Sequence, residues 1–584
     1  MNARVRPYLV VLVAALTALS VRAYLPIWSG GPTTPTPNTW PSGASVNYAV
    51  NDQVGTQVIF QAGSLVVPAI DTAVARLGVL SGLTFINQGQ TPITDPAQDG
   101  TNLLTWADTP ANQALLGGGL GITTVWFTNG VITEFDVVGN GSPNSPAPGQ
   151  GFFFSTLGTP GWFDVDGFVM HEAGHGIGMD HSALFNASMY PFQFAGTLKT
   201  RLPAADDDAG VGAIYAQNTG TGSVAGTVQR TGGGTVAGAH VFLVDAVTGR
   251  TRQGGFTIGA GTFTIDGIAP GIYRVYVEPV DGPFGPANFS AAWWNGVTID
   301  NTFQTAALGG VASPTVLKVA AGATNSVGTI NVNGPAPTRN MVQVFYLSTP
   351  TPLVNPVSTL EQPAPYAAWF GIFGTGVDQG PDSAFTFLGP FPDITGPSTW
   401  ATSNPGFDDR IFPLSIPAET PSGSYVLQWD DPTTGELVVF PGCLEVLPPA
   451  TPRAYTAPYG PGCPGSTGPV TLTGTGTPSL GNAAFSVTLA GQLGGQLAYF
   501  VLCALPDHLQ VGPGCFASVD WMTSFFDLTA IALPTGGGGM LTVPFPVPND
   551  PALAGTDIYA QVLVSDPMTP AGYALSNALA LHFE

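Results

Sequence analysis

Glycine and proline constrain this chain more than any other feature: 77 glycines and 55 prolines stand among its 584 residues, nearly one position in four. Glycine loses the most backbone freedom on folding, and proline lacks the N–H that a helix interior or an inner strand requires. Long uninterrupted helices are therefore excluded, and a turn-rich, mostly β chain is expected. Hydrophobic residues still make up 44% of the sequence, enough for packed cores. Charged residues make up only 9%, against a usual ~25%, which excludes coiled coils, salt-bridged solvent helices and charged disordered tails. At ~100–200 residues per domain, the length allows three to five domains.

The charge that is present is one-sided, with 14 basic residues against 37 acidic ones, and Lys199 and Lys318 are the only lysines. Phosphate backbones and anionic headgroups require basic patches, so nucleic acid is excluded as a partner. The acidity serves solubility, with Ca²⁺ at a few Asp clusters as the sharper alternative. Residues 1–23 carry a basic start at Arg4 and Arg6, an apolar run over 8–21 and a cleavage signature at Val21-Arg22-Ala23. This predicts a secretory signal peptide. No later stretch reaches ~18 consecutive apolar residues, so the expected product is secreted and extracellular, without a membrane span. The four cysteines, Cys443, Cys463, Cys503 and Cys515, all lie in the last quarter of the chain. In an exported protein an even number suggests two disulfides in one of three connectivities. A zinc cluster is the rival, weakened by the lack of any CxxC pair and by His508 being the sole nearby imidazole.

Only the region from about 38 to 217 mixes helix and strand patterns. Residues 45–50 and 83–87 alternate like strands, and between them Val67, Ile70, Val74 and Leu77 recur at helical spacing. A further strand is expected over 103–107, a hairpin over 123–127 and 131–138 around Asn129-Gly130, and helices over 165–176 and 203–216. Asp206, Asp207 and Asp208 fall in the first turn of the last helix, where negative charge suits the dipole. The run 218–223 has the small polar composition of a flexible linker. Beyond it, 218–335, 336–450 and 451–584 read as β modules, the second, third and fourth parts of the chain, with 336–450 Ig-like and 451–584 containing three of the four cysteines.

Between Met170 and Pro191 the chain reads MHEAGHGIGMDHSALFNASMYP, and three of its six histidines fall in the 11-residue window from His171 to His181. On a helix His171 and His175, four apart, project from one face toward one ion, and Glu172 stands beside the first. Gly178 can adopt positive φ, end the helix and bring His181 back as a third ligand. Three neutral imidazoles leave zinc an open position for water, whose proton Glu172 would take as general base; the chemistry implied is peptide hydrolysis.

The extended pattern resembles the metzincin zinc metalloproteases, and Ser182 with Ser188-Met189-Tyr190-Pro191 is similar to their matrixin branch. That resemblance implies an α+β catalytic domain over 24–217, a catalytic Zn²⁺, a protein or peptide substrate, and Met189 as the methionine turn under the metal. It extends through Trp40-Pro41, the 131–136 strand, Phe163-Asp164, Asp206-Asp207 and Ile214-Tyr215. No histidine outside the three ligands precedes His240 and no cysteine precedes Cys443, so the matrixins' structural zinc and cysteine-based latency are not expected. The module after the linker resembles the carboxypeptidase regulatory-like fold through Gly238-Ala239-His240-Val241. The expected fold class is thus multidomain: an α+β metzincin catalytic domain followed by all-β sandwich-like domains.

Two functions compete. The first is a secreted zinc metalloendopeptidase, with Phe192 and Phe194 either selecting a bulky apolar side chain or simply packing the domain. The second is a surface-binding or adhesion protein whose β modules carry the main function. In that case Trp293-Trp294 or Trp521 would stack on a polysaccharide ligand unless they pack inside.

Overall fold

The computed structural model describes residues 26–29, 36–145, 151–282, 284–289, 294, 296–347, 361–362, 366–398, 400–404, 407–449, 453–524, 532–534 and 539–584. The signal peptide expected over 1–23, and Trp293, lie outside the described residues. The first region is built on a five-stranded sheet in the order Thr84–Thr91, Ser45–Asn51, Asn102–Thr105, Val131–Gly139, Gly121–Thr128. The first three pairings are parallel and the last is antiparallel. That last hairpin turns on Asn129 and Gly130, both at positive φ, the conformation an Asn-Gly turn supplies at least strain.

Helix α1 (Val66–Ser81) buries Val66, Ile70, Ala73, Val74 and Leu77. This one apolar stripe packs with Phe168, Val169 and Ala173 of helix α3 (Val165–Gly176) against Val46, Val50, Leu104 and Phe135 of the sheet. Helix α2 (Pro110–Leu116), which the sequence pattern did not reveal, starts at Thr109, whose side chain accepts from the Asn112 amide. Helix α4 (Ala205–Ile214) closes the region.

Beyond α4 the described residues hold no further α-helix, and in all they comprise ten sheets against four α-helices. The expected fold class, an α+β metzincin domain followed by β domains, is corrected to a mostly β, multi-sheet chain in which helices cover one sheet of the first region. The physical reason is the abundance of glycine and proline, which favours short strands between turns.

The second module pairs a three-stranded sheet (Thr262–Ile268, Gly222–Arg230, Thr324–Val332) with a five-stranded one that includes His240–Asp245 and Gly271–Glu278. Val224, Val228 and Ile265 meet Val241, Leu243, Val275 and Val277 between them. The outer face of His240–Asp245 is buried as well. Phe242 and Val244 pack on Leu184 and Ala187 of the first region and on Val426 and Val439 of the third module. The expected flexible linker is accordingly held: Asn218 donates to the Ala209 carbonyl at 2.9 Å, and a strand begins at Gly222.

Scarce cations sit at joints. Arg76 of α1 meets Asp166 of α3 at 2.5 Å, and Lys318 bridges the second module to Asp507 and Asp520 of the fourth at 3.1 and 2.8 Å. Trp294, proposed as a sugar platform, is 4% exposed and packs on Phe289, while Trp521 is partly buried against a core cluster.

Cys463 and Cys515 form a disulfide, whereas Cys443 and Cys503 are buried thiols that burial pushes up to about 12. The two-disulfide expectation is corrected to one. The bridge closes a loop of 52 residues. Its reduction is expected to destabilise the fourth module by about 2–4 kcal/mol, read as a downshift of one thermal transition in calorimetry. Replacing Cys443 or Cys503 by Ser should not reproduce that reduction-dependent shift.

Candidate metal centre

Helix α3 is anchored at both ends. At its start the Asp164 side chain accepts from the Gly167 amide at 2.8 Å and forms a two-pronged pair with Arg201, at 2.9 and 2.6 Å. At its end the carbonyls left without helical partners are taken up from outside the helix. The Trp40 indole donates to Gly176 at 2.9 Å, the Tyr215 hydroxyl to Ile177 at 2.8 Å, and the Ile27 amide to Gly178 at 2.8 Å. Gly178 itself sits at φ 99°, and a Cβ there would lie 2.2 Å from the Asn38 carbonyl oxygen. The chain can reverse toward His181 only because that Cβ is missing.

The reversal brings His171, His175 and His181 together, with one ring nitrogen from each lying within 4.8 Å of the others. Each Nδ1 faces a carbonyl oxygen: Ser188 at 2.7 Å, Met179 at 2.8 Å and Asn288 at 3.2 Å. Nδ1 therefore carries the hydrogen, and each Nε2 keeps a lone pair for an ion. Burial, reinforced by the neighbouring imidazoles, pulls His171 down to about 3 and His175 well below its ordinary value. Rings held neutral in this way fit a zinc ion, which neutral imidazole binds well.

The segment after His181 is tied down by two adjacent carboxylates at the start of α4. Asp207 accepts from the amides of Ser188, Met189 and Ala204 at 2.7, 3.1 and 2.8 Å. Asp206 accepts from the Ser182 hydroxyl at 2.6 Å and from the Gly254 amide of the second module at 2.8 Å. Met189 is thereby pressed under α3, where a Cβ on Gly174 would stand 2.4 Å from its sulfur.

Beside the imidazoles lies a cleft of about 650 Å³ with apolar walls from Leu120, Phe152, Phe163, Pro191 and Phe192. Glu172 lines it and accepts from the Thr123 hydroxyl at 2.7 Å, while burial pushes its carboxyl up to about 7. Such a group exchanges a proton readily near neutral pH. Phe192 is 42% exposed and lines the cleft, whereas Phe194 packs on Phe185. Sequence reasoning missed Thr123, Asn288 and the Asp206–Gly254 contact. Asn288 lies 107 residues from His181, and no local pattern signals such a partner.

No family model matches the chain and no curated protein matches it. Among solved structures it aligns with the major pilin subunit of Bacillus cereus, at 11% identity and TM-score 0.14, over 59% of this chain and 88% of that one. It also aligns with a bacterial ice-binding adhesin, at 11% and 0.12 over 62% and 96%, and with the RrgB pilus protein of Streptococcus pneumoniae, at 9% and 0.13 over 62% and 62%.

No family model supports the metzincin resemblance, and the described residues are mostly β with four α-helices. The expected membership in the metzincins and their matrixin branch is corrected, together with the regulatory-like module and the classification as a zinc metalloendopeptidase and hydrolase. The resemblance rests chiefly on the window from His171 to Pro191, a small part of a chain that is otherwise β. Among the described residues no helix is long and apolar enough to cross a membrane.

Gly178→Ala tests the reversal. The left-handed conformation costs an alanine ~1–2 kcal/mol before the clash with Asn38 is added. Denaturation is expected to show a loss of at least that size, accompanied by weaker metal retention in a chelator-competition assay.

Proposed function

We propose that the chain is a secreted, extracellular surface-binding protein that holds one zinc ion on His171, His175 and His181 and uses it to grip a ligand in the adjoining cleft. The observation that carries this reading is the set of three Nδ1 to carbonyl contacts, which aim three half-buried imidazoles at one point. When bound, zinc would supply a positive centre with a position open to an electron-pair donor. The chain's own groups do the rest. Phe152, Phe163 and Phe192 offer apolar surface, Glu172 and Thr123 offer a hydrogen-bonding edge, and Met189 supports the floor. The ligand class that matches is one combining a carboxylate or carbonyl with an apolar group, exposed on a protein or another surface. The β modules serve as a spacer and as further binding area. Calcium remains a proposal for the acidic loops alone.

Two measurements test this. Protein purified in zinc-containing buffer should carry one equivalent of zinc, and His175→Ala should lose it. Zinc-loaded protein should bind beads coated with phenylalanine through its amino group, release on chelation and rebind when zinc is restored. Zinc far below one equivalent in the unaltered protein would sink the metal site, and chelator-insensitive bead binding would sink its role in gripping.

A further inference from the structure

The third imidazole is held from outside the region that carries it. His171 and His175 find their carbonyl partners 17 and 4 residues away, whereas His181 faces the carbonyl of Asn288 in the second module. Asn288 ends a short turn, Pro286–Asn288, fixed by its own side chain, which accepts from the Gly285 amide at 2.8 Å. The next residue, Phe289, is 6% exposed and wedged among Phe256, Phe284 and Trp294, at ring separations of 4.9, 5.4 and 4.7 Å. Trp294 packs in turn on Trp28, whose neighbour Ile27 donates to the Gly178 carbonyl at the end of α3. A closed circuit therefore runs from the helix end, through the N-terminal segment and the second module, back to His181.

We infer that zinc loading and docking of the second module onto the first region are one coupled equilibrium, with Phe289 as a positioning residue for the metal site. This rests on the zinc reading above. A ring without its carbonyl partner is free to swap tautomer and to rotate, and loss of such outer partners typically weakens metal binding ~10–100-fold. Coupling of binding free energies is reciprocal, so zinc must favour docking by the same factor by which docking favours zinc. Asp206 extends the circuit, because one of its oxygens restrains Ser182, next to His181, while the other holds Gly254 in the second module.

The experiment uses the full chain. Zinc affinity is measured by competition with a chromophoric chelator for the unaltered protein, for Phe289→Ala, and for Phe485→Ala. The last removes a fully buried phenylalanine from the fourth module. Phe289→Ala should bind zinc at least ~10-fold more weakly, whereas Phe485→Ala should leave affinity unchanged. In parallel, hydrogen exchange on the unaltered protein should slow at the amides of Gly254, Asn288 and Phe289 on zinc addition, as well as across 171–190. Should Phe289→Ala fail to fold, this exchange measurement decides the matter. Zinc that slows exchange only in 171–190, or unchanged affinity in a folded Phe289→Ala, would overturn the coupling while leaving the zinc site intact. Failure of the unaltered protein to bind zinc would instead overturn the reading on which it rests.

Discussion

Two adjacent carboxylates govern the middle of this molecule. Asp206 and Asp207 are each 2% exposed, and burying a charge is costly unless its acceptor sites are filled. Together they take up four amides and a hydroxyl, drawn from the segment after His181, from the start of α4 and from the second module. The first turn of α4 favours them electrostatically, because its amides and dipole point the same way. No one of these segments can shift without stranding a carboxylate, so the clamp fixes the segment after His181, the helix and the neighbouring module in one arrangement.

Local physics was legible where it was strong. The stripe of Ile70, Val74 and Leu77, the Asn129-Gly130 turn and the span of α3 follow from spacing and turn chemistry alone, and positive φ at Gly178 follows from the need to reverse the chain. Helix α2 escaped notice because about two turns show too little periodicity to detect; only Thr109-Pro110 marks its start. The inward aim of Asp206 and Asp207 was hidden for another reason. Three consecutive aspartates read as dipole complement, and nothing in their order shows that two of them face the core. Contacts such as His181 with Asn288 depend on how modules dock, which sequence proximity does not encode.

The wider correction has the same origin. A motif of a few residues states what one helix and its following turn can hold, and here the structure does gather those side chains. It does not determine what the remaining β sheets are for, since a site and the scaffold that carries it are separable. What the structure shows of Glu172 is its place: it lines the cleft beside the imidazoles and accepts from Thr123. Trp294 is buried, so it does not form the exposed sugar platform weighed for it.

The placement of the few cations has a consequence for proteolysis. Enzymes that cut after lysine or arginine must thread several residues on either side of the bond through their own cleft. Here Lys199 is buried against Phe185, Lys318 is gripped by two aspartates, and Arg76, Arg201, Arg252 and Arg339 are each paired to a carboxylate within helices, turns or sheet strands. Digestion by trypsin-like enzymes must therefore wait for local opening, and its rate then follows the population of opened chains. Among the described residues most of the few basic side chains are thus paired or buried, which leaves little for a trypsin-like enzyme to seize while the fold stays closed.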